Sequence, residues 1–111
     1  MVNRILKVQD LIHKEIAFLI IKDLNNPLLK MITISGVKVS KDLKYSEIYF
    51  TSLDKDIDKI QSELNKASGF IRNELSRRIH LKRLPSIRFK YDDTAEKSQK
   101  IDNIIKKVKI E

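Results

Sequence analysis

At 111 residues, with 23 Lys and Arg against 15 Asp and Glu and a net charge of +8, the chain has the length of one domain and a cation surplus suited to a polyanion. It has no cysteine, which excludes disulfides, thiol chemistry and cysteine-held metal sites. The longest apolar run, Ile16 to Ile21, falls far short of the ~20 residues of a membrane span. No signal-peptide pattern opens the chain, so a soluble cytoplasmic protein is expected.

Residues 3–24 carry a helical period: Ile5, Val8, Ile12, Ile16 and Leu19 recur at spacings of three and four, with Lys7, Asp10 and Lys14 opposite. Asn25-Asn26-Pro27 ends this helix, because proline disfavours the helical conformation in the residue before it. Residues 31–40 predict a β-branched strand whose phase changes midway. Ile32 and Ile34 share one side, Val37 and Val39 the other, and Gly36 between them suggests a bulge or twist. After a short link at 40–44, Ser46, Ile48 and Phe50 alternate with Tyr45, Glu47, Tyr49 and Thr51 in a second strand. So close a pair is most simply an antiparallel hairpin.

Residues 54–79 return to helical period through Ile57, Ile60, Leu64, Ala67, Ile71, Leu75 and Ile79. Asp54, Asp56 and Asp58 crowd the start, where the helix macrodipole favours carboxylates, and this structural role is preferred over a metal cluster. Gly69 costs a helix interior about 0.5–1 kcal/mol relative to Ala, which predicts two helices meeting in a kink at Ala67-Ser68-Gly69. Leu84-Pro85 breaks the chain, and Ile87, Phe89 and Tyr91 then alternate with Arg88 and Lys90 in a third strand. Asp93 with Glu96 resembles a capping box opening a last helix on Ile101, Ile104, Ile105 and Val108. The predicted class is α+β: one domain over residues 1–111, ordered α-β-β-α-α-β plus a C-terminal helix, with helices on one face of a three-stranded sheet.

All the arginines except Arg4 lie between Arg72 and Lys90, where Arg72, Arg77, Arg78, Lys82, Arg83, Arg88 and Lys90 meet a single carboxylate, Glu74. Guanidinium is a planar fork that matches phosphate oxygens and stacks on bases, so the cluster points to nucleic acid, and His80 inside it joins the candidate RNA contacts. Arg72, Arg77 and Arg78 fall outside the period Ile71, Leu75, Ile79 and are expected at the surface, as is His13 on the first helix. Ser68-Gly69 has two readings: a close backbone approach for a phosphate, or tight packing at the kink. Tyr45 and Tyr49 either stack bases on the open sheet face or serve as ordinary strand residues. No catalytic or metal-binding spacing is present, so a non-enzyme without cofactor or metal is expected.

The element order resembles the type II K-homology arrangement, an RNA-binding module that clamps a nucleic-acid backbone with a Gly-x-x-Gly loop. With two glycines, Gly36 and Gly69, this chain cannot build that loop, and Ala67-Ser68-Gly69 stands in its place. The residues are more specific. Asp23 to Pro27, Ile32-Thr33-Ile34-Ser35-Gly36-Val37, Val39-Ser40, Asp42-Leu43 and Glu47-Ile48-Tyr49 are followed by Leu64-Asn65-Lys66-Ala67-Ser68-Gly69-Phe70-Ile71-Arg72. Leu75, Arg78, Leu81, Arg83, Leu84-Pro85, Ile87, Phe89, Asp92 and Lys100-Ile101-Asp102 complete a pattern that resembles the ribosome-binding factor A family over nearly the whole chain. Asn26 before Pro27 departs from the Asp common there. The resemblance implies a K-homology fold with a helix-kink-helix. It also implies a non-catalytic factor that binds the immature 30S ribosomal subunit and its 16S rRNA, assists late maturation and rRNA processing, matters most in the cold, and leaves before translation. The free protein is expected to be a monomer. The alternative is a protein-interaction module bridging ribosomal or initiation proteins, with incidental RNA affinity.

Overall fold

The periodic apolar residues of the first segment form helix α1 (Val2–Lys22), which buries Val8, Ile12, Ile16, Leu19 and Ile20 in the computed structural model. The structure describes residues 2–94, and the predicted last helix, with Ile101, Ile104, Ile105 and Val108, lies outside the described residues. α1 stops slightly earlier than its apolar period suggests, with the Asp23 and Leu24 N–H groups closing on the Leu19 carbonyl at 2.8 and 3.3 Å. Asn26 Oδ1 then accepts the Leu28 N–H at 3.1 Å and turns the chain into a single 3-10 turn, Leu29–Met31, that buries Leu29.

Strands β1 (Ile32–Val39) and β2 (Tyr45–Ser52) pair antiparallel, as expected of so short a link. Ile34 faces Phe50 while Gly36 faces Tyr49, so Ser35 is the extra residue of a bulge. That insertion reverses the alternation, and Ile32, Ile34, Val37 and Val39 all turn inward despite their two sequence phases. The Gly36 phase change is therefore a real bulge. Strand β3 (Ser86–Tyr91) adds parallel to β2, giving the order β1-β2-β3. A parallel neighbour needs a crossover, and helix α2 (Ile57–Arg78) supplies it. Ile48, Phe50 and Phe89 face the helices, and Ser46, buried beside them, donates its hydroxyl to the Ser86 carbonyl at 2.8 Å.

The two helices predicted to meet at Ala67-Ser68-Gly69 are one uninterrupted helix. Ile60, Leu64, Ile71 and Leu75 are completely buried along it. Each such side chain is worth roughly 1.5–3 kcal/mol, which outweighs the ~0.5–1 kcal/mol cost of one mid-helix glycine. Gly69 has no positive φ, and a Cβ placed there would meet nothing within 4 Å. The length of α2 is not limited by the sheet, because it also packs on α1 and on the Leu29–Met31 turn. Its start follows the macrodipole reading: Asp56 is the N-cap and accepts the Lys59 N–H at 3.2 Å, while Asp54 accepts the Asp56 N–H at 2.8 Å.

Helix side chains also blunt the sheet's edges. Gln9 Oε1 accepts the Val39 N–H at 3.0 Å, and His13 Nε2 lies 2.9 Å from the Ile34 carbonyl. A carbonyl can only accept, so Nε2 carries the proton. His13 is thus half-buried and edge-capping rather than a free surface residue. On β3, Gln61 Nε2 donates to the Phe89 carbonyl at 3.0 Å.

Candidate nucleic-acid interface

The cations gathered between Arg72 and Lys90 separate into three settings. The first is the C-terminal half of α2. Arg77 is exposed, with only a loose 3.6 Å pairing to Glu74, and Arg72 is exposed with a long 3.4 Å contact to the Leu84 carbonyl. Arg78 differs. Its guanidinium is hydrogen-bonded to Asp23, lies 3.8 Å from Glu74 and 3.9 Å from Glu15, and sits 5.7 Å over the Phe18 ring. Its side chain is 26% exposed. The expectation that Arg78 is a free surface charge therefore fails: Glu15 of α1 and Asp23 just beyond its end meet α2 at this point, and the arginine ties the two segments together.

The second setting is the segment after α2, where His80, Lys82 and Arg83 are exposed around the buried Ile79 and Pro85. Lys82 and Arg83 join Arg4 of α1 and Lys44 of the hairpin link on the rim of a groove of ≈ 200 Å³. Arg4 and Lys44 lie far in sequence from the Arg72 to Lys90 window. Only the fold brings them beside Arg83.

The third setting is the outward face of the sheet. Lys38, Glu47 and Arg88 line up across β1, β2 and β3, and Tyr49 stands beside Lys90 in the neighbouring row. Tyr49 donates its hydroxyl to Glu47 at 2.7 Å. That bond holds the Glu47 carboxyl below its usual range, with Lys90, Lys38 and Arg88 adding to the effect, and raises the Tyr49 phenol. Lys38, Arg88 and Lys90 outnumber this one carboxylate in the two rows, so their surplus charge is positive. Tyr45 is 64% exposed at its margin and is free of core packing.

Ala67-Ser68-Gly69 forms no loop. Ala67 packs against the core, Ser68 donates its hydroxyl back to the Asn65 carbonyl at 2.7 Å, and Gly69 is exposed. Tight packing at a kink is excluded by the open space around Gly69. Among the described residues no group of acids or histidines is placed to hold a metal ion, and no helix is long and apolar enough to cross a membrane.

A family model described as ribosome-binding factor A matches residues 4–105. The ribosome-binding factor A of Citrifermentans bemidjiense is 41% identical over 110 residues, covering 97% of this chain and 92% of that protein. The Lacticaseibacillus casei protein of the same description is 38% identical over 112 residues, covering 98% and 96%. In fold, the chain is similar to the crystal structure of ribosome-binding factor A from Thermus thermophilus. The TM-score is 0.71 and the identity 23%, over 78% of this chain and 94% of that one. It is also similar to Thermus thermophilus ribosome-binding factor A coordinates fitted into a cryo-EM map of a 30S complex. There the TM-score is 0.64 and the identity 24%, over 74% and 88%.

Proposed function

This chain belongs to the ribosome-binding factor A family, and from that premise we propose that it binds the immature small ribosomal subunit and its 16S rRNA and assists late rRNA maturation without catalysing a reaction. The observation that carries this reading is the family match from residue 4 to residue 105. The Thermus protein's fit into a 30S complex supports the small subunit as the partner. The exposed cations Arg72, Arg77, Lys82, Arg83, Arg88 and Lys90, with exposed His80 among them, support rRNA as the contacted component. The α-β-β-α-β order, with β3 parallel to β2, supports a K-homology-like module that works without a Gly-x-x-Gly clamp. In this reading the free chain is a cytoplasmic monomer.

A second reading, a module that bridges ribosomal or initiation proteins, is favoured by one observation: Phe18 and Ile21 of α1 are 51% and 66% exposed. Co-sedimentation of the full chain with purified immature 30S subunits across a salt series tests the first reading. With about five phosphates neutralised on single-stranded or irregular RNA, log affinity falls with log salt at a slope of about −3.5. A flat response, or binding lost when exposed ribosomal proteins are stripped from the subunit, overturns it in favour of the second.

A further inference from the structure

Among the described residues, Arg4 at the start of α1, Lys44 in the hairpin link, and Lys82 and Arg83 after α2 surround one groove whose floor is Val8, Leu43, Leu81 and Pro85. We propose that this groove holds a single unstacked nucleotide of RNA, its base or ribose on the apolar floor and its flanking phosphates on the four cations. The proposal rests on the RNA-binding reading above and adds a defined pocket to it.

The chemistry of the groove narrows its occupant. A cationic rim alone would suit any polyanion, including the smooth backbone of a duplex. An apolar floor is of no use to a duplex, whose bases stay stacked, but it suits a splayed base. The groove volume of ≈ 200 Å³ is below the roughly 300–1,000 Å³ of sites that enclose a whole small-molecule ligand. That size fits one base or sugar with its phosphates left outside.

The single acid on the rim, Asp42, is outnumbered by the four cations Arg4, Lys44, Lys82 and Arg83, which leaves the groove net positive. Its carboxylate accepts from the Ser40 hydroxyl at 2.7 Å and from the Lys44 N–H at 3.0 Å, and these bonds hold its pKa below the usual range. Both bonds also shape the link. The Leu43 N–H closes on the Ser40 carbonyl at 2.9 Å, and Leu43 takes a left-handed backbone with φ 61. Among the described residues it is the one non-glycine residue with positive φ, a conformation that costs free energy for a side chain with a Cβ. The link accepts that strain where Leu43 contributes to the floor and Lys44 to the rim. Such strain concentrates where a local shape is needed for binding.

The test uses the full chain and two RNA probes: a short single-stranded oligonucleotide and a fully paired duplex of the same sequence. Arg4→Ala with Lys44→Ala, both exposed positions, should leave the circular-dichroism melt unchanged. Binding of the single strand should weaken about tenfold near 0.15 M salt, with the salt slope smaller by about 1.4. Lys22→Ala with Lys30→Ala, exposed cations away from the groove, should bind as wild type. In methyl NMR, the single strand should shift the Val8, Leu43 and Leu81 resonances, whereas the duplex and inorganic phosphate should not. Wild-type affinity in the Arg4/Lys44 variant overturns the proposal, as do methyls that stay put or that shift equally with duplex or phosphate. If wild type itself fails to sediment with 30S subunits, the wider functional reading fails. If wild type sediments and the groove variant does so equally well, only the groove fails.

Discussion

Arg78 and Arg83 are chemically identical and close in sequence, yet the fold uses them in opposite ways. Arg78 is locked between Asp23, Glu15 and Glu74 with its guanidinium over Phe18. Arg83 is exposed on the rim of a groove where three further cations outnumber the one carboxylate, Asp42. A guanidinium surrounded by carboxylates has little field left for a phosphate, while one on a groove with neighbouring cations has its field reinforced. A count of positive charges in a sequence window therefore overstates the charge available to a ligand. What separates the two arginines is Glu15 and Asp23, remote in sequence from Arg78 and adjacent in space.

The sharpest way to break this comparison is to remove charge on each side and read binding and stability separately. Lys82→Ala with Arg83→Ala and Arg88→Ala should weaken RNA binding about 50-fold near 0.15 M salt, taking one phosphate contact per residue. Its melting temperature should hardly change, because exposed substitutions usually shift stability within about 0.5 kcal/mol. Arg78→Ala should do the reverse. It leaves Asp23, Glu15 and Glu74 without their shared cation. The cost should be about 1–2 kcal/mol, between the value of an exposed ion pair and that of a fully buried one. That corresponds to a fall of roughly 5–10 °C in Tm, with binding per folded molecule little altered. Equal Tm in both variants, with Arg78→Ala the poorer binder, would erase the distinction.

The same contrast explains how much the sequence disclosed. Local periodicity was legible: the buried stripe Val8, Ile12, Ile16, Leu19 and the inward Ile48 and Phe50 follow directly from spacing. Even the β1 bulge was legible as the phase change at Gly36. Relations between distant segments were not. Nothing local marks the parallel pairing of β3 with β2, the meeting of Arg78 with Asp23, or the gathering of Arg4 and Lys44 beside Arg83. His13 read as a surface residue because its partner, the Ile34 carbonyl, lies on another element. The predicted kink failed for a different reason. The burial of Leu64 and Ile71 on either side of Gly69 outweighs its poor helix propensity, so tertiary packing decides the outcome.

A smaller effect follows from that correction. If α2 is a continuous strut that carries Arg78 to α1, Gly69→Ala should strengthen it. The site is helical, exposed, and has open space where a Cβ would stand. Alanine should therefore stabilise by about 0.5–1 kcal/mol through better helix propensity and a less flexible unfolded chain. Thermal melts should show a modest rise in Tm, and subunit binding should stay at the wild-type level. A fall in both would mean that residue 69 bends or is approached closely when bound, and that the α2 arginines are aimed by a hinge.

The smallest expected effect concerns the sheet face, where one acid sits among three cations. Glu47 lies between Lys38 and Arg88, and its carboxyl is held below the ordinary value of 4.5, first by the Tyr49 hydroxyl and then by the surrounding cations. A carboxyl with a depressed folded-state pKa contributes stability that is complete above its unfolded value. That contribution is lost as pH falls through the folded value. Tyr49→Phe removes the largest cause, so the Glu47 pKa, followed by NMR titration, should rise, with partial desolvation pushing it up and Lys90, Lys38 and Arg88 still pulling it down. Stability near pH 7 should decrease slightly, and the acid limb of the melting profile should become shallower. An unchanged Glu47 titration would mean that the phenol does not hold the carboxylate in solution. Arg88 and Lys90 keep their surplus over Glu47 in either outcome, because a neutral phenol donor leaves the charge of the carboxylate in place.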